Sequence, residues 1–211
     1  MKKLLSLLIL TGTLFAQANS IFTLNPSVNS AGMGNVGIAH ADVRNVFHNP
    51  AFAGLKESHY EISHIKWLPN LADDMGYQSM LHTSDMGWSG EIFYFDYGTQ
   101  VEADAGGIIL GDFESASFRM SGGYGFGFND WLVGARLNFY HHNFVDDIDI
   151  GMNYGFDIGA YKEFGDTSIG IVLKDVGGET KFLDQELNLP MSVGIGVGQK
   201  LGNFTLASDV K

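Results

Sequence analysis

The chain has 211 residues, no cysteine, 28 glycines and a formal net charge of −12. So acidic a chain is a poor candidate for nucleic-acid binding, because it would be repelled by phosphates. The lack of cysteine excludes disulfide bonds as a source of stability. Glycine is about twice as frequent as the usual ~7%, and 13% of residues are aromatic, which favours a β-rich fold.

Residues 1–18 have the three parts of a secretory signal peptide. Met1-Lys2-Lys3 is positively charged, Leu4–Leu10 is apolar except for Ser6, and Ala16-Gln17-Ala18 is a cleavage site. The apolar run is too short to span a membrane. Cleavage removes two lysines and no acid, so the net charge falls from −12 to −14. We therefore predict an exported protein.

Residues 32–37, Gly-Met-Gly-Asn-Val-Gly, match the G-x-G-x-x-G fingerprint of dinucleotide-binding proteins. That fingerprint requires a strand before the glycines and a helix after them, within a βαβ unit. Here the glycines follow the polar residues 25–30, and no βαβ pattern comes after them. We therefore interpret these glycines as serving another backbone geometry.

From residue 59 onward, apolar residues alternate with polar or very small ones, which predicts strands with one apolar face. Leu137 and Phe139, for example, alternate with Arg136 and Asn138. The pattern predicts nine strands, near residues 59–68, 75–83, 89–98, 113–128, 131–144, 148–164, 167–177, 189–201 and 203–211.

Short turns alternate along the chain with longer connections. Asn129-Asp130, Gly165-Asp166 and Gly202-Asn203 are two-residue hairpin signals, whereas 99–112 and 177–188 are long. This alternation is typical of outer-membrane barrels, which have short periplasmic turns and long external loops. Aromatic residues near strand ends predict two interfacial belts: Trp88, Phe128, Trp131, Phe164 and Phe204 at the short turns, and Trp67, Tyr97, Tyr140 and Phe144 at the long loops.

We thus predict an all-β fold, an antiparallel transmembrane β-barrel over residues 57–211; the alternative is a soluble β-sandwich with an aromatic core. Nine strands is an odd number, and bacterial single-chain barrels have even numbers. The chain also ends in Lys211 rather than in an aromatic residue. We therefore expect C-terminal strands of a longer protein to be missing here.

Three segments near the N-terminus carry a resemblance to a known family. They are Ser30-Ala31-Gly32-Met33-Gly34, Ile38-Ala39 and Asn49-Pro50-Ala51. The stretch resembles the start of FadL-like outer-membrane barrels, most closely the PorV/PorQ branch linked to type IX secretion. Residues 60–68, 174–178, 181–182, 189–190 and 206–210 are similar to later parts of that family. One departure is the insertion of Phe52-Ala53 before Gly54-Leu55.

The resemblance implies that residues 19–56 fold inward as a plug, with a motif formed by Gly32, Met33, Gly34, Asn49, Pro50 and Ala51. An ordinary first strand and turn is the alternative for this segment. The resemblance also implies location in the cell outer membrane, with membrane lipid, secretion-system proteins and exported cargo as partners. Two functions follow: a type IX secretion component, or a FadL-type channel for hydrophobic small molecules such as long-chain fatty acids.

Charged residues within strands give the remaining site candidates. Arg119, Arg136 and Asp157 lie at polar positions between apolar neighbours, and a lipid-facing arginine at mid-depth would cost ~2–4 kcal/mol. We therefore predict that all three face the lumen. No set of residues has the spacing of a catalytic group or cofactor site, so we predict no enzyme activity and no cofactor. Solvated loop charge is the preferred interpretation of Asp146, Asp147 and Asp149, with Ca²⁺ ligation as the alternative.

Overall fold

A computed structural model describes residues 23–68, 70, 74–104, 106–145, 148–177, 179–182, 185–189 and 191–211. Only the backbone is described for the strand residues 144–145, 148–152, 179–182 and 185–188. Within these residues, nine strands form one antiparallel sheet, and two short strands pair separately as a hairpin. Each strand of the large sheet pairs with the next one along the chain that belongs to that sheet. The predicted nine-stranded antiparallel meander is confirmed.

The strands are β1 (His59–Lys66), β2 (Gly76–Thr83), β3 (Trp88–Ala103), β4 (Ile109–Phe128), β5 (Trp131–Val145), β6 (Ile148–Phe164), β7 (Thr167–Gly177), β8 (Glu179–Phe182), β9 (Gln185–Asn188), β10 (Ser192–Leu201) and β11 (Phe204–Val210). The structure differs from the sequence prediction in two connections. Residues 99–103 and 109–112, expected in a loop, extend β3 and β4, and the long connection after β7 contains the β8–β9 hairpin.

The short turns have the backbone geometry that their residues favour. Asn129, Gly165 and Gly202 have φ values of 44°, 64° and 62°. Glycine and asparagine reach this left-handed region at low cost, and a two-residue hairpin that follows the twist of its strands requires it. These turns fix the strand pairs Phe128–Trp131, Phe164–Thr167 and Leu201–Phe204.

One face of the sheet is apolar and exposed. The cross-strand register aligns one apolar residue from each of six adjacent strands, each of them 38 to 81% exposed: Ile62, Met80, Ile92, Met120, Phe139 and Tyr154. A second row continues to the last strand through Phe126, Val133, Ala160, Ile171, Ile195 and Val210. We call this the outer face.

The opposite, inner face is covered by the N-terminal segment, residues 23–55. The segment contains a short helix α1 (Val28–Gly32) and two 3-10 turns, Val43–Asn45 and Pro50–Leu55. Ser27 caps α1 by accepting a hydrogen bond from the Ser30 amide, and Asn49 caps the second turn in the same way at Ala51. Pro50 occupies the first position of its turn, where no amide hydrogen is needed.

The sheet curves around this segment. In a flat sheet, nine strands about 4.8 Å apart would place the two edge strands roughly 38 Å from each other. Instead, a short chain of contacts from the N-terminal segment joins β1 to the residue after β11. Glu61 accepts from Ser27, Ser30 meets the His48 ring at 2.8 Å, and Lys211 meets the same ring at 3.2 Å. No helix in the described part of the chain is long and apolar enough to cross a membrane.

Candidate functional site

The N-terminal segment packs closely against the sheet at a row of glycines. Gly125, Gly134 and Gly159 are cross-strand neighbours on β4, β5 and β6. A Cβ on Gly134 would overlap the Pro50 carbonyl, and one on Gly159 would overlap the Asn49 side chain. The row therefore forms a shallow trough, and the predicted motif residues Asn49, Pro50 and Ala51 are fully buried in it.

A second glycine pair receives residues 38–39. Gly170 and Gly196 are neighbours on β7 and β10, and a Cβ on Gly170 would overlap the Ile38 carbonyl. Beside this pair, the carboxylate of Asp209 on β11 accepts hydrogen bonds from the amides of Gly37 and Ile38, at 2.8 and 3.0 Å. Asn49 also donates to Ala160 on β6 at 3.1 Å. The segment is thus bonded directly to the strands.

The other half of the predicted motif lies elsewhere. Gly32, Met33 and Gly34 are exposed and form the end of α1, where Gly34 has a φ of 77°. A left-handed residue at this position ends the helix. The structure therefore separates the two halves of the motif: Asn49-Pro50-Ala51 packs against the sheet, and Gly32-Met33-Gly34 makes a surface turn. Gly37 packs directly against the His48 ring.

The three charged candidates all lie on the covered inner face. Arg119, Arg136 and Asp157 are 1%, 4% and 0% exposed. Arg136 and Asp157 are cross-strand partners, with Arg136 Nε and Nη2 donating to the same carboxylate oxygen at 3.0 and 2.5 Å. Arg119 forms an ion pair with Glu91 on β3, and its Nε donates at 2.7 Å. Each buried guanidinium therefore has a carboxylate partner, as burial of charge requires.

An irregularity in β7 completes the coordination of Asp157. The β6–β7 register shifts between Phe156 and Ile158, and Asp175 has a φ of 56°. This shift lets the Asp175 amide donate to the second oxygen of Asp157 at 2.7 Å. The Asp175 carboxylate in turn accepts a hydrogen bond from the Tyr140 hydroxyl. Both oxygens of Asp157 are thereby bonded.

The charge cluster also holds the N-terminal segment. Arg136 donates to the carbonyls of Val46 and Phe47 at 3.4 and 3.2 Å. The buried Phe47 ring lies among three basic side chains, with Lys174 Nζ at 4.0 Å and the guanidinium carbons of Arg119 and Arg136 at 4.6 and 5.1 Å from its centroid. A cation–π contact with a desolvated guanidinium is worth ~2 kcal/mol. The arrangement anchors the segment, and the sequence prediction missed Phe47, Lys174 and Glu91.

His48 is a buried hydrogen-bonding centre of the segment. Its Nε2 lies 2.8 Å from Ser30 Oγ and 3.0 Å from Asn25 Nδ2. Burial first, and then the positive charges of Lys211, Lys174 and Arg136, hold the pKa of His48 well below its usual 6.5. The imidazole is therefore neutral at physiological pH.

The inner face also contains an aromatic cluster. Tyr77, Phe93 and Phe95 are buried together, with Trp67 and Tyr97 packed against them. Of the aromatics predicted to form a belt at the long loops, Trp67 and Tyr97 therefore pack inward and Tyr140 is buried. For these three residues the belt prediction is wrong, because alternation places them on the inner side; the side chain of Phe144 lies outside what the structure describes. By contrast, Trp88, Phe128, Phe164 and Phe204 at the short turns are exposed.

Some candidates lie outside what is described. Residues 1–18, Asp146 and Asp147 are outside the described residues, as is the side chain of Asp149. Across the described ranges, no three His, Cys, Asp or Glu side chains are grouped so as to hold a metal ion. The histidines of the paired strands β1 and β2 are not cross-strand partners either, because His64 pairs with Gln78 and His82 pairs with Tyr60.

The fold and the site together define a curved antiparallel meander with an exposed apolar face and a charged face sealed by the N-terminal segment. Neither the models of known protein families nor the sequences of curated proteins gave a match to the chain.

Proposed function

We propose that this chain is an outer-membrane β-barrel protein of the PorV/PorQ type, in which the N-terminal segment is a plug. The observation that carries the proposal is the polarity of the two faces. Arg119, Arg136 and Asp157 are buried, whereas Phe139, Ile158 and Ile195 are 38 to 51% exposed. A protein dissolved in water has the opposite arrangement. A sheet surrounded by hydrocarbon has this one.

The apolar surface is too extensive for a patch that docks another protein, and its extent supports lipid as the surroundings of the outer face. The two rows on the outer face together run from β1 to β11, and soluble monomers rarely expose apolar patches larger than a few hundred Å². Backbone groups at a sheet edge are not tolerated in lipid, so closure of the sheet into a barrel is part of the proposal.

The membrane assignment is tested by fluorescence quenching in reconstituted vesicles. Trp88 is 58% exposed at a short turn, so lipids brominated near the headgroup should quench it strongly in a variant that keeps only this tryptophan. The folded protein should also run faster on unheated than on heated SDS gels. Recovery in the soluble periplasmic fraction, with an unquenched Trp88, would refute the assignment.

The secretion role rests on the resemblance of residues 30–51 to the PorV/PorQ branch. Its test is deletion of the gene in the native bacterium, followed by comparison of periplasmic and surface proteins. We expect a defined set of exported proteins to accumulate in the periplasm and to reach the surface again on complementation. An unchanged surface and supernatant protein profile rules this role out.

A FadL-type channel is the second candidate, and the inner aromatic cluster favours it. Tyr77, Phe93 and Phe95 form a buried apolar cluster on the inner face, which also carries the charged residues. Under this function, deletion should slow the uptake of long-chain fatty acids while leaving exported proteins in place. Equal uptake rates in deleted and complemented cells would exclude the channel.

A further inference from the structure

The hairpin formed by the far ends of β3 and β4 projects beyond the rest of the sheet. The pairing of β2 with β3 ends at Asp96, and that of β4 with β5 begins at Ala116. Beyond these residues β3 and β4 pair only with each other, up to Ala103 and Ile109. At about 3.4 Å per residue the projection is roughly 20 Å long. We call residues 97–104 and 106–114 the ribbon.

The ribbon is braced at both ends by hydrogen bonds. At its base the Asp74 carboxylate, from the connection before β2, accepts from the Thr99 amide at 2.7 Å. At its tip Asp104 Oδ1 accepts from the amides of Gly106 and Ile108, both at 2.8 Å. Gly107, with a φ of 81°, closes the turn. The ribbon therefore presents its side chains in a defined arrangement.

Its surface combines exposed apolar residues with charge of a single sign. Val101, Ile108, Ile109 and Leu110 are 58 to 68% exposed. Residues 97–114 contain four carboxylates and no lysine or arginine; the acids are Glu102, Asp104, Asp112 and Glu114. The outward backbone edges of both strands are also unpaired in the described structure. Exposed apolar residues beside unpaired edges are typical of strand-addition sites.

We infer that the ribbon is a docking site for an extended basic segment of another protein at the cell surface, which adds to its edge as a strand. In the added strand, alternate lysine or arginine side chains would lie on the face of Asp112 and Glu114, and the apolar side chains between them would lie on the face of Ile109. This inference rests on the proposed membrane orientation, in which the long connections lie outside the cell.

Charge argues against the two other occupants of the ribbon, which are a second copy of the chain and membrane lipid. Two copies of the ribbon would bring four carboxylates against four, which is repulsive. Asp112 and Glu114 lie between the apolar outer face and the tip of the ribbon. Insertion of the ribbon into lipid would therefore bring both carboxylates into contact with hydrocarbon, which is unfavourable. A basic protein segment is the occupant that gains from both the apolar residues and the carboxylates.

The test measures fluorescence anisotropy of two labelled nine-residue peptides on the full chain folded in detergent. One peptide alternates lysine with valine, and the other alternates glutamate with valine. We expect the lysine peptide to bind at least tenfold more tightly than the glutamate peptide. The triple variant Glu102→Lys/Asp112→Lys/Glu114→Lys should lose that binding at least tenfold.

A charge-matched control separates docking from general attraction to an acidic protein. The variant Asp85→Lys/Asp130→Lys/Asp166→Lys makes the same change in net charge at three exposed short-turn positions. It should retain binding within twofold. Absence of binding to the unmodified chain, or equal losses in both triple variants, would overturn the inference. So would unchanged binding in Ile109→Ser/Leu110→Ser, because the apolar residues would then contribute nothing.

The lipid and self-association alternatives are measured on the same preparations. In vesicles, a single tryptophan introduced by Ile109→Trp should escape quenching by brominated lipid, and light scattering should show no ribbon-dependent dimer. Quenching there, or a dimer lost in the ribbon variant, would overturn the inference. An unquenched Trp88 in its own variant would instead refute the membrane proposal, so the two failures are distinguishable.

Discussion

The two faces of the sheet use the same alternating sequence pattern for opposite purposes. On the inner face, charged side chains and glycines receive the N-terminal segment, as at Arg136 and Gly159. On the outer face, large apolar residues such as Phe139 and Ile158 are 38% and 48% exposed. The comparison teaches that burial of a sheet residue depends on which face it lies on, because only the inner face is covered by the N-terminal segment. Four substitutions test this contrast.

The largest effect is expected from Arg136→Leu on the inner face. Removal of this guanidinium leaves Asp157 buried without its cation and frees the carbonyls of Val46 and Phe47. Breaking a buried pair on one side costs ~3–5 kcal/mol. Urea unfolding in detergent should report this loss, and the double variant Arg136→Leu/Asp157→Leu should recover part of it. A double variant as unstable as the single one would contradict the pairing.

On the outer face, Ile158→Arg separates lipid from water as the surroundings. In a bilayer the lipid-facing arginine should destabilise the fold by ~2–4 kcal/mol. In water the same exposed site would tolerate arginine within about 0.5 kcal/mol. Unfolding is measured in vesicles, with Ile158→Val as the control for altered packing. A neutral effect in vesicles would mean that hydrocarbon does not contact this face.

The glycine trough is tested by Gly159→Ala. The added methyl group would overlap Asn49 Oδ1 and displace the second 3-10 turn, at a cost of ~1–3 kcal/mol. Gly122→Ala is the matched control, because a Cβ at Gly122 meets no atom within 4 Å. Protease cleavage within residues 23–55 should accelerate only in the first variant. Equal cleavage in both variants would argue against close packing at the trough.

The smallest effect concerns pH. Because the folded state holds the pKa of His48 below 6.5, the unfolded state binds more protons as the pH falls through that value. The N-terminal segment should therefore lose stability below about pH 6.5 and be insensitive to pH above it. Hydrogen exchange of residues 37–49 measures this loss. His48→Gln should make hydrogen exchange in this segment less dependent on pH. A segment that becomes more stable on acidification would contradict the prediction.

Much of the sheet could be predicted because its signals are local. Period-two alternation and turn residues such as Asn129 and Gly165 act within a few positions, so strands and short hairpins were placed correctly. The inward position of Arg136 also follows from its apolar neighbours.

The site was less accessible to sequence reasoning because its contacts depend on register across long connections. Pairing of Arg119 with Glu91 depends on where β3 meets β4, and a bulge near Asp96 interrupts that register. The Asp157 contact with the Asp175 amide depends on a shift in β7 that no sequence period signals. The glycines were recognised as lining one face, but the segment that they receive is distant in the chain: Ile38, which meets Gly170, lies 170 − 38 = 132 residues before it.

The bond between Asp209 and the amides of Gly37 and Ile38 has a consequence for assembly. These groups are separated by 171 and 172 residues in the chain. Residues 37–38 are therefore synthesised early and gain this partner only after β11 has been synthesised. The N-terminal segment therefore becomes fully bonded to the sheet late in folding. A chain that stops before β11 lacks the hydrogen bonds from Gly37 and Ile38 to Asp209.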